Sequence, residues 1–161
     1  MSGDTRETHA SGKGPRDAGG GTPVTGLSHV ALAVADADAV AASIVSALGA
    51  VRGREELLDG GALRVVFLHL GPVTFELLEP KDPAHTVARF LAARGPGLHH
   101  VSLEVHDIEG ALARAREAGA RLIDETPRAG AHGTRIAFLH PQSLGGVLVE
   151  LCETPPERES G

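Results

Sequence analysis

Slid against itself by 71 residues, the chain overlays its own pattern, and this duplication constrains the fold more than any other feature. HVALAVADADAVA, starting at His29, lies over HVSLEVHDIEGAL, starting at His100, and RVVFLH (Arg64 to His69) lies over RIAFLH (Arg135 to His140). Allowing three inserted residues in the second copy, at the PQSLGG turn, brings TFELLE around Glu76 onto LVELCE around Glu150. Each copy opens with an alternating strand, then Asp36 or Asp107 as an N-cap, then apolar residues at helical spacing. Those residues are Val40, Ile44, Ala47 and Leu48 in one copy and Ile108, Ala111, Leu112 and Ala115 in the other, with Gly49 and Gly119 suited to end the helices. Two or three strands rich in Val, Leu, Ile and Phe follow, so each copy reads βαβββ.

One such unit covers a single sheet face and leaves its edges open, so two units side by side form the natural stable arrangement. The expected fold is α+β: two tandem βαβββ modules forming a curved mixed sheet around a metal-binding cleft. The domain is expected over about 26–154, with repeat 1 at about 26–80 and repeat 2 at about 97–153. Between them PAHTVARFLAARG, with Val87, Phe90 and Leu91 on one stripe, predicts a connecting helix at about 83–95. Residues 1–25 and 155–161 are polar and glycine-rich or charged, and are expected to be disordered tails.

The length of 161 residues suits one domain, and 42% hydrophobic with 22% charged residues suits a globular one. A net charge of −6 with no basic block, and four Phe with no Trp or Tyr, argue against nucleic acid as a partner. No apolar run approaches the roughly 20 residues that cross a bilayer, and the N-terminus lacks the apolar core of a secretory signal. A cytoplasmic protein without a membrane partner is expected. Cys152, the lone cysteine, sits in an apolar stretch as a small buried hydrophobe and is given no function.

Nine histidines stand out, because imidazole is the commonest metal ligand. His29 and His100 match under the repeat, each on the strand face opposite Val30 and Leu32 or Val101 and Leu103. Glu76 and Glu150 also match, each in a strand whose other face carries Phe75 and Leu77 or Val149 and Leu151. A carboxylate amid apolar neighbours demands a partner. Matched positions lie symmetrically about an approximate two-fold axis, so these four side chains can converge as an N2O2 set. Such a set suits Co2+, Mn2+, Ni2+, Fe2+ or Zn2+ with water in the remaining positions. Glu76 is the weakest member, since a neutral amide can replace it.

His99, if its strand is regular, points to the other face as a core or supporting histidine. His69 and His140 end strands near turns, where structural hydrogen bonding is expected, with substrate contact a second reading for His140. His85, His106, His132 and His9 are expected in loops or solvent. The glycines of RAGAHG (Arg128 to Gly133) and SLGGV (Ser143 to Val147) are read as turn geometry ahead of a ligand cradle.

The stretches LSHVALAV, VTFELLEPKDP, RGPGLHHVSLEVHDIEGAL and RLIDETPRAGAHGTRIAFLHPQSLGGVLVELCE, with the TVARFLAARG connector, resemble the vicinal oxygen chelate (glyoxalase/bleomycin-resistance) superfamily. Within it they resemble the methylmalonyl-CoA epimerase family, over about 26–153. The resemblance implies a divalent metal, cobalt first among the five, held by His29, Glu76, His100 and Glu150. It implies a small-molecule acyl-CoA substrate, a homodimer, and interconversion of (R)- and (S)-methylmalonyl-CoA by removal and return of the α-proton through an enolate. Glu150 is the candidate catalytic acid/base. Some members carry a second catalytic glutamate in the strand after the first helix; here Val65 stands there, leaving Glu76, a loop acid (Glu55, Glu56 or Asp59) or water to substitute. Alternative readings are a glyoxalase I-like lyase and a metal-free small-molecule binding protein of the same fold, the latter disfavoured by the scarcity of aromatic residues. A ring-cleaving dioxygenase is disfavoured because a fourth protein ligand crowds oxygen.

Overall fold

Strands β1 (Val24–Ala33) and β5 (Gly97–Val105) lie antiparallel at the centre of one sheet, with Val30 directly across from Val101. Ala31 faces His100 on one side of that pair and His29 faces Ser102 on the other, so the approximate two-fold axis passes between the two valines. This computed structural model describes residues 24–155. Val24 and Thr25, expected in the tail, belong to β1; the remainder of both expected tails, apart from Pro155, lies outside the described residues, as does His9.

Along the first copy, β1 is followed by α1 (Ala37–Leu48), β2 (Val51–Leu58), β3 (Leu63–Leu70) and β4 (Val73–Pro80). Helix α2 (Thr86–Arg94) connects to β5, and the second copy continues through α3 (Ile108–Glu117), β6 (Arg128–Ala129), β7 (Arg135–Leu139) and β8 (Val149–Glu153). The strands form one eight-stranded half-barrel in the order β2-β3-β4-β1-β5-β8-β7-β6, parallel only at β1–β4 and β5–β8. The α+β fold expected from the repeat is the one observed. The copies differ at their outer edges, where β6 is reduced to two residues.

The helix signals act as their chemistry requires. Asp36 accepts the N–H of Ala39 at 2.9 Å and Asp107 that of Gly110 at 3.0 Å, while Gly49 closes α1 at φ +68°, a left-handed conformation that costs glycine little. The connector helix begins at Thr86 because His85 takes the cap. On the convex face α1 packs Ala37 and Ala41 onto Val66, Leu68 and Leu77; α3 packs Ile108 and Leu112 onto Ala137, Leu139 and Leu151. Val87 of α2 instead enters the concave side against Ala31, Val65, Phe67 and Leu78. Fully burying each large aliphatic chain contributes about 1.5–3 kcal/mol.

The polar anchors are duplicated too. Glu79 accepts the N–H of Ala37 at 2.9 Å and Glu153 that of Ile108 at 3.3 Å, holding the first turn of each outer helix. Arg64 joins Glu79 to Asp38 in the first copy, and Arg135 joins Glu153 to Glu109 in the second. Alternation along the strands then fixes which side chains face the hollow: Val65 and Phe67 from β3, Glu76 from β4, His100 and Ser102 from β5, and Glu150 from β8.

Candidate active site and metal centre

The two matched histidines meet at the axis. His29 Nε2 lies 3.3 Å from His100 Nε2 and 3.3 Å from Glu150 Oε1, and His100 Nε2 lies 3.6 Å from Glu150 Oε2. One ligand atom from each of these residues fits within a mutual 4.8 Å, and all three residues are buried. Glu76 stands on the other side of His29, its Oε1 3.3 Å from Nδ1, outside that group. Three of the four expected donors therefore share a point, and the fourth is one imidazole away.

Each histidine is supported by the residue before it. The β1–β5 ladder skips one residue between Leu27 and His29 and one between Leu98 and His100, so Ser28 and His99 are bulges at matching places in the two copies. Ser28 Oγ lies 3.1 Å from His29 Nδ1, and His99 Nδ1 lies 2.9 Å from His100 Nδ1. The regular strand assumed for His99 is broken at that residue. His99 consequently lines the same cavity as His100 and packs its ring against Phe90 of α2. Occupying each Nδ1 turns the Nε2 atoms toward the shared point, as ligand histidines require.

Burial governs the charge of the cluster. It lowers His29 to about 4, and it lowers His100 further, helped by His29, His99 and Arg128. Burial also raises Glu76 to about 8, reinforced by Glu150 and Glu56. Glu150 is raised by burial to about 7, against the hydrogen bond from Ser102 and the charge of Arg128. Neutral imidazoles beside carboxyls that resist ionisation in isolation are suited to a divalent cation, which favours those deprotonated forms. The donor set thus fits an ion. Two histidines and one carboxylate also occur in non-haem iron sites, so the donors alone do not choose the chemistry.

Beside the cluster opens a cavity of about 270 Å³, walled by Glu76, His100 and Glu150 on one side and by Asp59, His85 and Arg128 elsewhere. Val65 is fully buried in its wall and offers no proton-transfer group. The three loop acids have distinct surroundings. Glu55 is bound by Arg64 and Arg52, and the Arg64 hydrogen bond first of all holds its carboxyl below the usual range. Glu56 accepts from the backbone N–H of His132 at 3.1 Å and lies 3.0 Å from its Nδ1. Only Asp59 of the three lines this cavity, and its partner is His85 at 2.9 Å.

The RAGAHG loop does more than turn. Arg128 reaches the cavity with its guanidinium 5.4 Å from the Phe138 ring and its Nε 3.4 Å from Asp124, and Phe138 packs edge-on against His100 at 5.0 Å. At Gly130 a Cβ would meet Ile136 and Thr134 at 2.7 Å, so close packing requires glycine there. His132, expected in a loop or solvent, is an exposed loop residue, and it ties this loop to β2 through Glu56 and lies on Phe67, ring centres 4.3 Å apart. His140 caps the Pro141–Ser143 turn through the Gln142 N–H at 3.1 Å, His69 lies 3.4 Å from Thr74 Oγ1, and His106 is exposed beyond β5. Sequence reasoning missed Ser28, Ser102, Arg128 and the His85–Asp59 pair. The repeat offered one clue, placing Ser102 over Ala31 as a polar-for-apolar difference beside the matched glutamates.

Residues 28–138 match the model of the Glyoxalase/Bleomycin resistance protein/Dioxygenase superfamily. The chain is 41% identical over 127 residues to the ethylmalonyl-CoA/methylmalonyl-CoA epimerase of Cereibacter sphaeroides, covering 78% of this chain and 95% of that protein. Its fold superimposes on the crystal structure of methylmalonyl-CoA epimerase from Mycobacterium tuberculosis with TM-score 0.78 and 38% identity, covering 83% of this chain and 90% of that one. A serine-to-threonine variant of Streptomyces coelicolor methylmalonyl-CoA epimerase in complex with 2-nitronate-propionyl-CoA gives TM-score 0.77 at 29% identity, over 83% and 97% of the two chains.

Proposed function

The chain belongs to the glyoxalase/bleomycin resistance protein/dioxygenase superfamily and, within it, to the methylmalonyl-CoA epimerases, and from that membership we propose that it is a metal-dependent isomerase interconverting (R)- and (S)-methylmalonyl-CoA. His29, His100 and Glu150 would hold the ion, with Glu76 as the fourth residue of the set and the acceptor behind His29 Nδ1. Cobalt is the first choice, with manganese, nickel, iron or zinc as alternatives; when bound, the ion supplies Lewis-acid stabilisation of the negative charge that develops on the thioester oxygen.

The remaining work falls to side chains. Glu150 takes the α-proton on one face. The C–H electron pair becomes the C=C bond of the enolate, and the carbonyl pair moves to the thioester oxygen. Burial raises the Glu150 carboxyl and a bound cation would lower it again, which keeps it available as base in one direction and acid in the other. Asp59 serves the opposite face: of the three loop acids it alone lines the cavity that Glu150 lines, and Glu76, which lines it too, is kept for the metal set beside His29. Collapse of the enolate onto a proton that Asp59 has taken from solvent gives the other isomer, Glu150 then gives up its proton to solvent through the cavity, and the reverse sequence restores the first isomer. Arg128, on the cavity wall, attracts the substrate's free carboxylate.

We further read the protein as a cytoplasmic homodimer acting on a small-molecule acyl-CoA. The observation that carries the proposal is the convergence of His29, His100 and Glu150 beside a cavity whose wall His100 and Glu150 share with Asp59. Each purified stereoisomer incubated in D2O with cobalt-loaded protein should take up deuterium at the α-carbon and convert to its partner. Absence of both uptake and conversion refutes the epimerase reading.

A further inference from the structure

His85 occupies a helix cap usually filled by serine, threonine, aspartate or asparagine. Its Nδ1 accepts the N–H of Val87 at 3.2 Å, which leaves the ring hydrogen on Nε2. That nitrogen then donates to Asp59 Oδ2 at 2.9 Å. The imidazole is 13% exposed and the carboxylate 54%, and both line the main cavity.

Asp59 is held from its own side as well. Its φ is +52°, a region that costs a non-glycine residue on the order of 1 kcal/mol, and Gly60 and Gly61 follow at +67° and +93°. Lys81 and Asp82 donate their N–H groups to the Ala62 carbonyl at 2.8 and 3.3 Å, and His85 N–H donates to the Asp82 carbonyl at 3.0 Å. These bonds fasten the connector to the β2–β3 turn, so the two halves of the pair are located by separate backbone anchors.

We propose that His85 is the positioning residue of Asp59: its Nε2–H fixes Oδ2, leaving Oδ1 to exchange the proton with the α-carbon. This rests on the epimerase reading and on Asp59 as its second acid/base. When Oδ1 takes the proton, the Nε2–H···Oδ2 bond persists and His85 neither gains nor loses a proton. One carboxylate oxygen is thereby kept in a single orientation, the kind of preorganisation that lowers a proton-transfer barrier. The exposure of Asp59 lets its proton exchange with bulk water.

H85S is the informative variant, because a serine hydroxyl can cap α2 but cannot reach Asp59. With Tm, metal content and KM close to wild type, kcat should fall about tenfold or more in both directions. Proton NMR in D2O supplies the signature that a structural role would not give. The stereoisomer served by Glu150 should keep exchanging its α-proton without inverting, while exchange of the other isomer falls along with epimerisation. H85N, whose amide oxygen can cap while its NH2 donates, should recover part of the rate. Wild-type kcat in H85S, or equal loss of exchange for both isomers with a lowered Tm, overturns the positioning role while leaving the epimerase reading intact. A wild-type protein that exchanges neither isomer overturns both.

Discussion

Ser102 donates its hydroxyl hydrogen to Glu150 Oε1 at 2.8 Å, and Ala31, its counterpart in the first copy, offers Glu76 nothing. Both pairs sit directly across parallel strands, Ser102 from Glu150 and Ala31 from Glu76. That hydroxyl distinguishes the two matched carboxyls: with the charge of Arg128 it opposes the burial that raises Glu150, whereas Glu150 and Glu56 add to the burial that raises Glu76. Buried charge-assisted hydrogen bonds are among the stronger ones available to a protein.

Removing that donor should therefore raise Glu150 further. In S102A the basic form is scarcer at neutral pH, so the acid limb of the kcat/KM profile should move to higher pH. Metal affinity should drop about 10-fold or more, as for other lost supports of a ligand. A pH–rate profile and a metal titration check both; an unmoved acid limb would show that Ser102 does not tune Glu150.

The metal-free protein should lose stability as pH rises above 6.5. Glu76 and Glu150 keep protons in the folded state that the unfolded chain releases near 4.5, so their contribution is full below 4.5 and is lost as pH climbs toward about 7 and 8. His29 acts in the opposite sense, costing stability as pH falls from 6.5 toward about 4. The two effects oppose each other between 4.5 and 6.5, and the carboxyls alone act above it. Thermal melts of chelator-treated protein should show Tm declining from pH 6.5 to 8, with added Co2+ raising Tm more at the upper value. A Tm that rises over that interval contradicts the charge states assigned to the cluster.

Metal retention should separate the clustered histidines from the others. H100A removes one of three converging donors, and its bound metal after desalting should fall to background. H132A removes a ring held by Glu56 and Phe67, outside that group of donors, and should keep its metal. Equal metal content in the two variants rejects the site.

The repeat made much of this legible. Asp36, Asp107 and Gly49 act as the local chemistry of their positions demands, and the sheet closes about an axis that sequence matching alone implies. Less legible was what depends on register. The period-two pattern around His99 is compatible with a regular strand, and only the ladder with β1 reveals the skipped residue. Glu76 matches Glu150 in sequence, yet in the folded sheet one lies against His29 Nδ1 and the other against Nε2. His85 and Asp59 belong to a connector and a turn, neither carrying a periodic signal, and two backbone bonds between those segments bring them together.

A pleated ribbon normally gives a pocket wall every second side chain, the rest being spent on the opposite surface. At Ser28 and His99 consecutive positions face inward, so the wall carries twice the usual density of polar groups where the two halves meet. Gene duplication would have supplied that spare place twice. Hydroxyl now fills one and imidazole the other, which makes a nearly symmetric scaffold chemically lopsided without any change of backbone.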